Sequence, residues 1–283
     1  MSGLVESAEF ILTAPDFSTI AEIMAAETGI VFSQNKANLV YSRLAKRLRL
    51  LGLCNFSDYC TLVASTRGED ERQAMIAALT TNVTRFFREP HHFEHLKTRI
   101  LPGLIEQARK NIPIRLWSAA CSSGQEPYSI ALTLLSLMPD AAKYDIRILA
   151  TDIDQNVLLE GEAGIYDSMV VDAVPDAMRR NWFSSLDDGS GRLRIAESVR
   201  DLVTFRKLNL IGTWPMRGKF QAIFCRNVVI YFGNDTQSKI WSRFVPLLDP
   251  QGALYIGHSE RVTGPADAML RSDGVTIYRP RAS

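Results

Sequence analysis

Cysteine is scarce in this sequence: four in 283 residues, Cys54, Cys60, Cys121 and Cys225, with no C-x-x-C pair. That spacing argues against a disulfide framework or a cysteine zinc site and favours free, buried thiols in a reducing compartment. No apolar run reaches the roughly 18 residues of a membrane span. The opening MSGLVESAEFILTAPDF has no basic n-region and carries Glu6 and Glu9, so a signal peptide is not expected and the expected location is the cytoplasm. Neither sign of charge dominates, since the formal net charge is +1, and this speaks against bulk nucleic-acid binding. G-x-G-x-x-G is missing, and with it the dinucleotide fingerprint. There is no internal repeat and no low-complexity segment.

What remains is an ordinary folded composition, 46% hydrophobic and 22% charged, long enough for one or two domains. Residues 1–78 have helical periodicity. Thr19 and Glu22 form a possible capping box and Gly29 a helix stop. A helix is expected over 33–51, with Val40, Leu44, Leu48 and Leu51 on one apolar face and Lys36, Arg43 and Arg47 on a neighbouring basic ridge. A solvated face is the plainer reading of that ridge. The stretch TTNVTRFFREP (80–90) has neither helix nor strand spacing and is expected to be a connector, 79–90, whose polar side chains point at something.

Beyond it the period changes. Strands are expected in IPIRLWSAAC, DIRILATDID, KFQAIFCRNVVIYF, GALYIGHSE and GVTIYRP, alternating with helices at 127–138, where Pro127 takes the first position, and near 156–163. Alternation of this kind predicts a doubly wound, mostly parallel sheet over 91–283. The Gly-rich turn in SLDDGSGRLRI predicts a small antiparallel β insertion at about 183–206.

In such a sheet, ligands lie beyond the carboxyl ends of the strands. Three strand ends carry polar residues. WSAACSSGQEPYSIA has a small-residue turn and then Glu126, which could simply favour the helix N-terminus; an acid there disfavours a pyrophosphate. ILATDID ends at Asp152, placed to accept hydrogen bonds from ribose hydroxyls, with Asp154 as a helix cap. FCRNVVIYF brings Arg226, Asn227 and Tyr231 out of a very apolar strand. A small-residue turn without pyrophosphate signals, plus a ribose acid, fits a nucleoside cofactor such as S-adenosylmethionine.

TTNVTRFFREPHHF, WSAACSSGQEPYSIA, ATDID and FCRNVVIYF with GHSE, in that order, resemble the CheR family of chemotaxis receptor methyltransferases over nearly the whole chain. The resemblance implies a small N-terminal helical domain, then a methyltransferase domain with a β insertion. It implies transfer of a methyl group from S-adenosylmethionine, leaving S-adenosylhomocysteine, to glutamate side chains on the cytoplasmic domain of a chemoreceptor (a methyl-accepting chemotaxis protein). By position, Asn82, Thr84 and Arg88 would line the cofactor site, Glu126 and Asp152 would bind its polar groups, and Asn209 and Leu210 would lie near the adenine. Arg226 and Asn227 would close the pocket, and Arg88 and Tyr231 would lie beside the reactive methyl. Lys36, Arg43 and Arg47 would dock the receptor. Ser123 and Gln125 depart slightly from the expected Thr and Glu. Phe86 and Phe87 would hold the connector against the sheet.

A glutamate carboxylate, with a pKa of about 4.3, is already ionised at neutral pH. It needs no general base and no metal, which accounts for a chain with no evident His–Asp pair or metal cluster at its strand ends. In HHFEH the order of His91, His92 and His95 is not H-E-x-x-H, so packing or surface roles are expected. Cys121 is expected to be a buried packer, and Arg85 a solvent contact. A methyltransferase acting on another acceptor, and a cofactor-binding signalling module without turnover, are the alternatives. A monomer is the default state.

Overall fold

The computed structural model describes residues 9–281. The chain divides into two units. One runs through Thr81 and includes Tyr231–Gly233; the other holds Asn82–Ile230 and the chain from Asn234 onward.

The first unit is helical: α1 (Ala14–Thr28), α2 (Ala37–Leu51), α3 (Phe56–Ala64) and α4 (Glu69–Leu79). The capping box of α1 is Thr13 with Asp16, six residues ahead of the expected Thr19–Glu22 pair. Pro15 near the helix start fits this entry, and Thr19 sits inside the helix, donating to the Pro15 carbonyl. Gly29, at φ 77°, ends α1. The 33–51 helix is α2 preceded by a 3-10 turn, Gln34–Lys36. Val40, Leu44 and Leu48 are buried, whereas Leu51 is 41% exposed, because the helix stops at Gly52 before its last turn can bury. Glu71 of α4 is buried and accepts from the Arg47 guanidinium and the Tyr59 hydroxyl. Tyr231–Gly233 joins this unit through a bridge between Ile30 and Phe232 and a bond from Val31 N–H to the Tyr231 carbonyl, 3.0 Å.

Among its described residues the second unit has ten strands: β1 (Ile114–Ala119), β2 (Ile146–Asp152), β3 (Ile165–Asp167), β4 (Phe183–Ser185), β5 (Arg192–Ile195), β6 (Val203–Lys207), β7 (Phe220–Cys225), β8 (Leu248–Ile256), β9 (Leu270–Gly274) and β10 (Ile277–Pro280). Seven form one sheet in the order β6-β2-β1-β7-β8-β10-β9, parallel from β6 to β8, with β10 antiparallel to both its neighbours. The near-continuous apolar runs of β1 and β7 are buried, as a sheet covered on both faces requires. The helix Gln125–Leu135 is buried along almost its whole length and begins two residues earlier than Pro127 suggests. Proline is tolerated at its third position because N–H groups in the first turn have no intrahelical acceptor.

The antiparallel insertion is a three-stranded sheet, β3-β5-β4. It therefore draws on residues from 165 to 195 rather than 183–206. The Gly-rich turn does join β4 to β5, but Val203–Lys207 pairs with β2 in the large sheet. Alternation marks a strand without naming its partner, and the three-residue β3 is too short to show a period.

Candidate active site

The carboxyl ends of β2, β1 and β7 lie level: Ala119 is in register with Thr151 on one side and Cys225 on the other. The chain leaves β1 toward β2 on one side, while β7 lies on the other, so this is the switch point where open α/β sheets bind ligands. Non-glycine residues with positive φ gather here. They are Ala120 (64°), Ser122 (50°) and Asn227 (59°), with Phe87 (52°) and Glu89 (58°) in the connector. Each such residue costs of order 1–3 kcal/mol, and such strain concentrates at functional sites.

Asp152 ends β2 and is buried. One carboxylate oxygen accepts from Ser122 N–H (2.9 Å) and the other from Asp154 N–H (3.1 Å). Burial raises its pKa against the pull of these amides. Asp154 caps the next helix, accepting from Asn156 N–H, and also accepts from Asn82 Nδ2 at 3.0 Å. The Asn82 carbonyl in turn accepts from Ser122 Oγ, 2.9 Å. Asn82 is thus bonded to the loops after both β1 and β2.

Glu126 lies in the first turn of the helix Gln125–Leu135. It accepts from Ser118 Oγ (2.7 Å) and from Arg226 Nη1 (3.0 Å). Burial raises its pKa, with Arg226 and Ser118 opposing. Arg226 also donates to the Arg88 carbonyl and lies 3.3 Å from Glu89 Oε2. Glu89 Oε1 meets His258 Nδ1 at 2.9 Å. Burial pushes Glu89 up, but Arg226 and His258 outweigh it and hold the carboxyl down at about 2. Glu89 of the connector thus pairs with His258, which follows β8, across 169 residues of sequence. Glu89 also lies with His91 and His92 in a group whose ligand atoms are all within 4.8 Å. The adjacent Arg226 guanidinium opposes a second cation there.

The aromatic pair of the connector anchors it through more elements than the sheet alone. Phe86 is buried edge-on against Tyr166 of β3 and Phe183 of β4. Phe87 packs on Phe93 and donates its N–H to Ser129 Oγ, 2.9 Å. The pair thereby holds the connector to the small sheet and to a helix, within the core cluster that also includes Leu116, Ala150 and Phe224 of the large sheet.

Arg88 is half-buried and donates to the Val83 carbonyl at 2.9 Å, and its five-donor fork has further N–H groups to offer an anion. Thr84 is half-buried and Arg85 exposed. Asn209 and Leu210 follow β6, which pairs with β2, and Leu208 N–H bonds the Asp152 carbonyl, so they sit beside the Asp152 end. β7 stops at Cys225; Tyr231 lies in a 3-10 turn, Val229–Tyr231, and is 37% exposed. Lys36 is exposed. Arg43, however, donates to the carbonyls of Ala78 and Thr80, and Arg47 pairs with Glu71, so helical spacing hid that both are engaged within the helical unit. Cys121 is buried, with its thiol pKa raised by burial.

Glu260 escaped notice although it lies in the GHSE motif. Its buried carboxylate accepts the amides of Asn227 (2.9 Å), Val228 (2.9 Å), Val229 (2.8 Å) and Gly257 (2.5 Å). A buried acid in a short motif was the available signal. His92 is also buried: Nε2 meets Thr276 Oγ1 at 2.9 Å, and burial, then Arg226 and His91, lower its pKa to about 3.

A switch-point site with a buried acid at the end of β2, a small-residue turn and no pyrophosphate cradle fits the class of S-adenosylmethionine-dependent methyltransferases. Family models agree: residues 82–277 match the CheR methyltransferase, SAM binding domain, and residues 15–80 match the CheR methyltransferase, all-alpha domain. The chain belongs to the CheR methyltransferase family. It is 53% identical over 255 residues to a Rhizobium etli protein named "Probable chemotaxis protein methyltransferase", covering 90% of this chain and 95% of that one. It is 41% identical to "Chemotaxis protein methyltransferase 2" of Pseudomonas aeruginosa, covering 96% and 95%. It is likewise 41% identical to "Chemotaxis protein methyltransferase" of Escherichia coli, covering 94% and 91%.

The donor set fits S-adenosylmethionine. Each Asp152 oxygen accepts one of these amides, and its remaining acceptor capacity would suit a cofactor hydroxyl. Arg226 Nε is buried without a hydrogen-bond partner, a donor suited to the cofactor's own carboxylate.

Proposed function

We propose that this protein esterifies glutamate side chains on the cytoplasmic helices of chemoreceptors, serving adaptation in a chemosensory pathway in the cytoplasm. One observation carries the reading: the acids at the strand ends are all engaged by donors. Glu126 is held by Arg226 and Ser118, Asp152 by two amides and Glu260 by four. Such a site offers donors to an anionic acceptor rather than a free carboxylate base to a neutral one.

S-adenosylmethionine supplies a methyl group on a sulfonium centre. The protein's part is to grip an already ionised glutamate and align it, and positioning of this kind can lower a barrier by about 7–11 kcal/mol. Arg88 would hold the acceptor carboxylate, and Tyr231 would orient it or the methyl. Asp152 would hold the ribose, Asn209 and Leu210 the adenine. Arg226 and Asn227 would close the pocket, with Asn82 and Thr84 lining it from the connector. No helix among the described residues is long and apolar enough to cross a membrane.

A second reading has one observation in its favour. His258 is exposed and paired with Glu89, as a base for a neutral acceptor would be. A methyl-transfer assay on receptor fragments separates the two. Glutamyl esters release methanol in alkali, whereas N-methyl groups persist, and esterification should survive His258→Gln. Alkali-stable product would refute the glutamate reading.

A further inference from the structure

The four amides on Glu260 come from two neighbouring strand ends. Asn227, Val228 and Val229 directly follow Arg226 at the end of β7, and Gly257 follows β8. Three successive N–H groups converging on one anion form a nest, the backbone device that elsewhere captures phosphates and carboxylates. Here the occupant is internal. Asn227 is held at φ 59°, in the left-handed region that begins the nest. Gly257 is required at the other side, because a Cβ there would lie 2.4 Å from Asn227 Nδ2 and 2.7 Å from its backbone nitrogen.

A nest of this kind beside a methyl-transfer site raises a difficulty for an enzyme whose acceptor is a carboxylate. Left open, it would bind the acceptor in the wrong place, and Asn227 would lose the anion that holds its backbone. An internal carboxylate solves both problems. Charge-assisted bonds to backbone amides are roughly twice as strong as neutral ones, and the group is covalently delivered, so it needs no recruitment from solution.

We propose that Glu260 is a positioning residue of the transfer site: it fills the nest after β7, fixes Asn227 and the adjoining Arg226, and keeps the acceptor carboxylate out of the nest. The inference rests on the proposed placement of Arg226 and Asn227 at the cofactor and on a carboxylate acceptor.

Glu260→Gln keeps the side chain's shape but brings an NH2 group against backbone N–H donors. It should lower kcat by up to roughly 100-fold, the effect of a misplacement of about 1 Å, with a much smaller change in KM for the acceptor and in melting temperature. Glu260→Ala removes a fragment the size of acetate. Its turnover should be restored in part by added sodium acetate, a recovery that a merely architectural role does not produce. Acetate at the same concentration should leave the wild type unaffected, since its nest is filled. Acetate inhibition of the wild type competitive with acceptor, or a Glu260→Gln variant with wild-type kcat, overturns the proposal even where the Ala variant does not fold. Asn227→Ala tests the underlying placement separately. If it binds S-adenosylhomocysteine and turns over normally, that placement fails and the inference with it; if it is impaired while Glu260→Gln is not, only the role of Glu260 fails.

Discussion

Arg226 Nη1 lies 3.0 Å from Glu126 Oε2, joining the end of β7 to the helix that follows β1. Both side chains are largely buried, and the same guanidinium serves Glu89 and the Arg88 carbonyl. The ion pair therefore ties the connector to the switch point.

Removing one partner of a buried pair leaves the other uncompensated, at about 3–5 kcal/mol. Arg226→Met should destabilise by that amount in urea unfolding, and adding Glu126→Gln should restore part of it. Strictly additive losses would show that the two residues are not coupled.

Asp152→Ala should weaken S-adenosylhomocysteine by about 1.5–3 kcal/mol, the range for hydrogen bonds to a charged group. Calorimetry is the check, and unchanged affinity removes the ribose assignment.

Arg88→Ala should reduce methylation far more than it lowers the melting temperature, because the guanidinium's one bond to a protein carbonyl is local. Tyr231→Phe, which deletes only a hydroxyl, should give a smaller loss of kcat. Wild-type rates in both variants would move the reactive centre elsewhere.

His92 makes the protein acid-sensitive. Its native pKa, about 3, lies below the ordinary 6.5 because the ring is buried and faces Arg226 and His91; the Glu89 carboxylate pulls the other way and is outweighed. Between those values the unfolded chain holds the extra proton. The stability is thus complete above pH 6.5 and is lost as pH falls toward 3, with a slope of at most about 1.4 kcal/mol per pH unit. His95, lowered by burial although Asp273 opposes it, adds in the same direction. Denaturant midpoints of His92→Gln should depend less steeply on pH between 5 and 7; an unchanged slope would assign the effect to other groups.

Receptor encounter should respond to salt if cations on α2 and the turn before it steer it, since the Debye length is about 8 Å at physiological strength. Arg43 and Arg47 hold the helical unit together, so Arg47→Ala, which strips Glu71 of its cation, should lower stability. Lys36 and Lys46 are exposed. Replacing both with Ala should flatten the salt dependence of methylation without altering cofactor affinity. An unchanged salt slope would place the docking surface elsewhere.

Much of this was legible in the amino-acid order. Periods of 2 and 3.6 distinguish strands from helices, and apolar runs such as IRLWSA and FQAIFC mark strands buried on both faces. Small residues, acids and Asn227 at the strand ends mark the switch point because a doubly wound sheet has one such edge for a ligand. The tertiary structure decided which charges are already engaged. Periodicity places Arg43 and Arg47 on a face but is silent about carbonyls 35 and 37 residues away, or about Glu71. Only the parallel register of β7 with β8 brings Glu260 under three amides more than thirty residues earlier, and only the placement of the connector brings Glu89 to His258. A side chain's partner is set by where distant backbone ends up, and a local pattern holds no record of that.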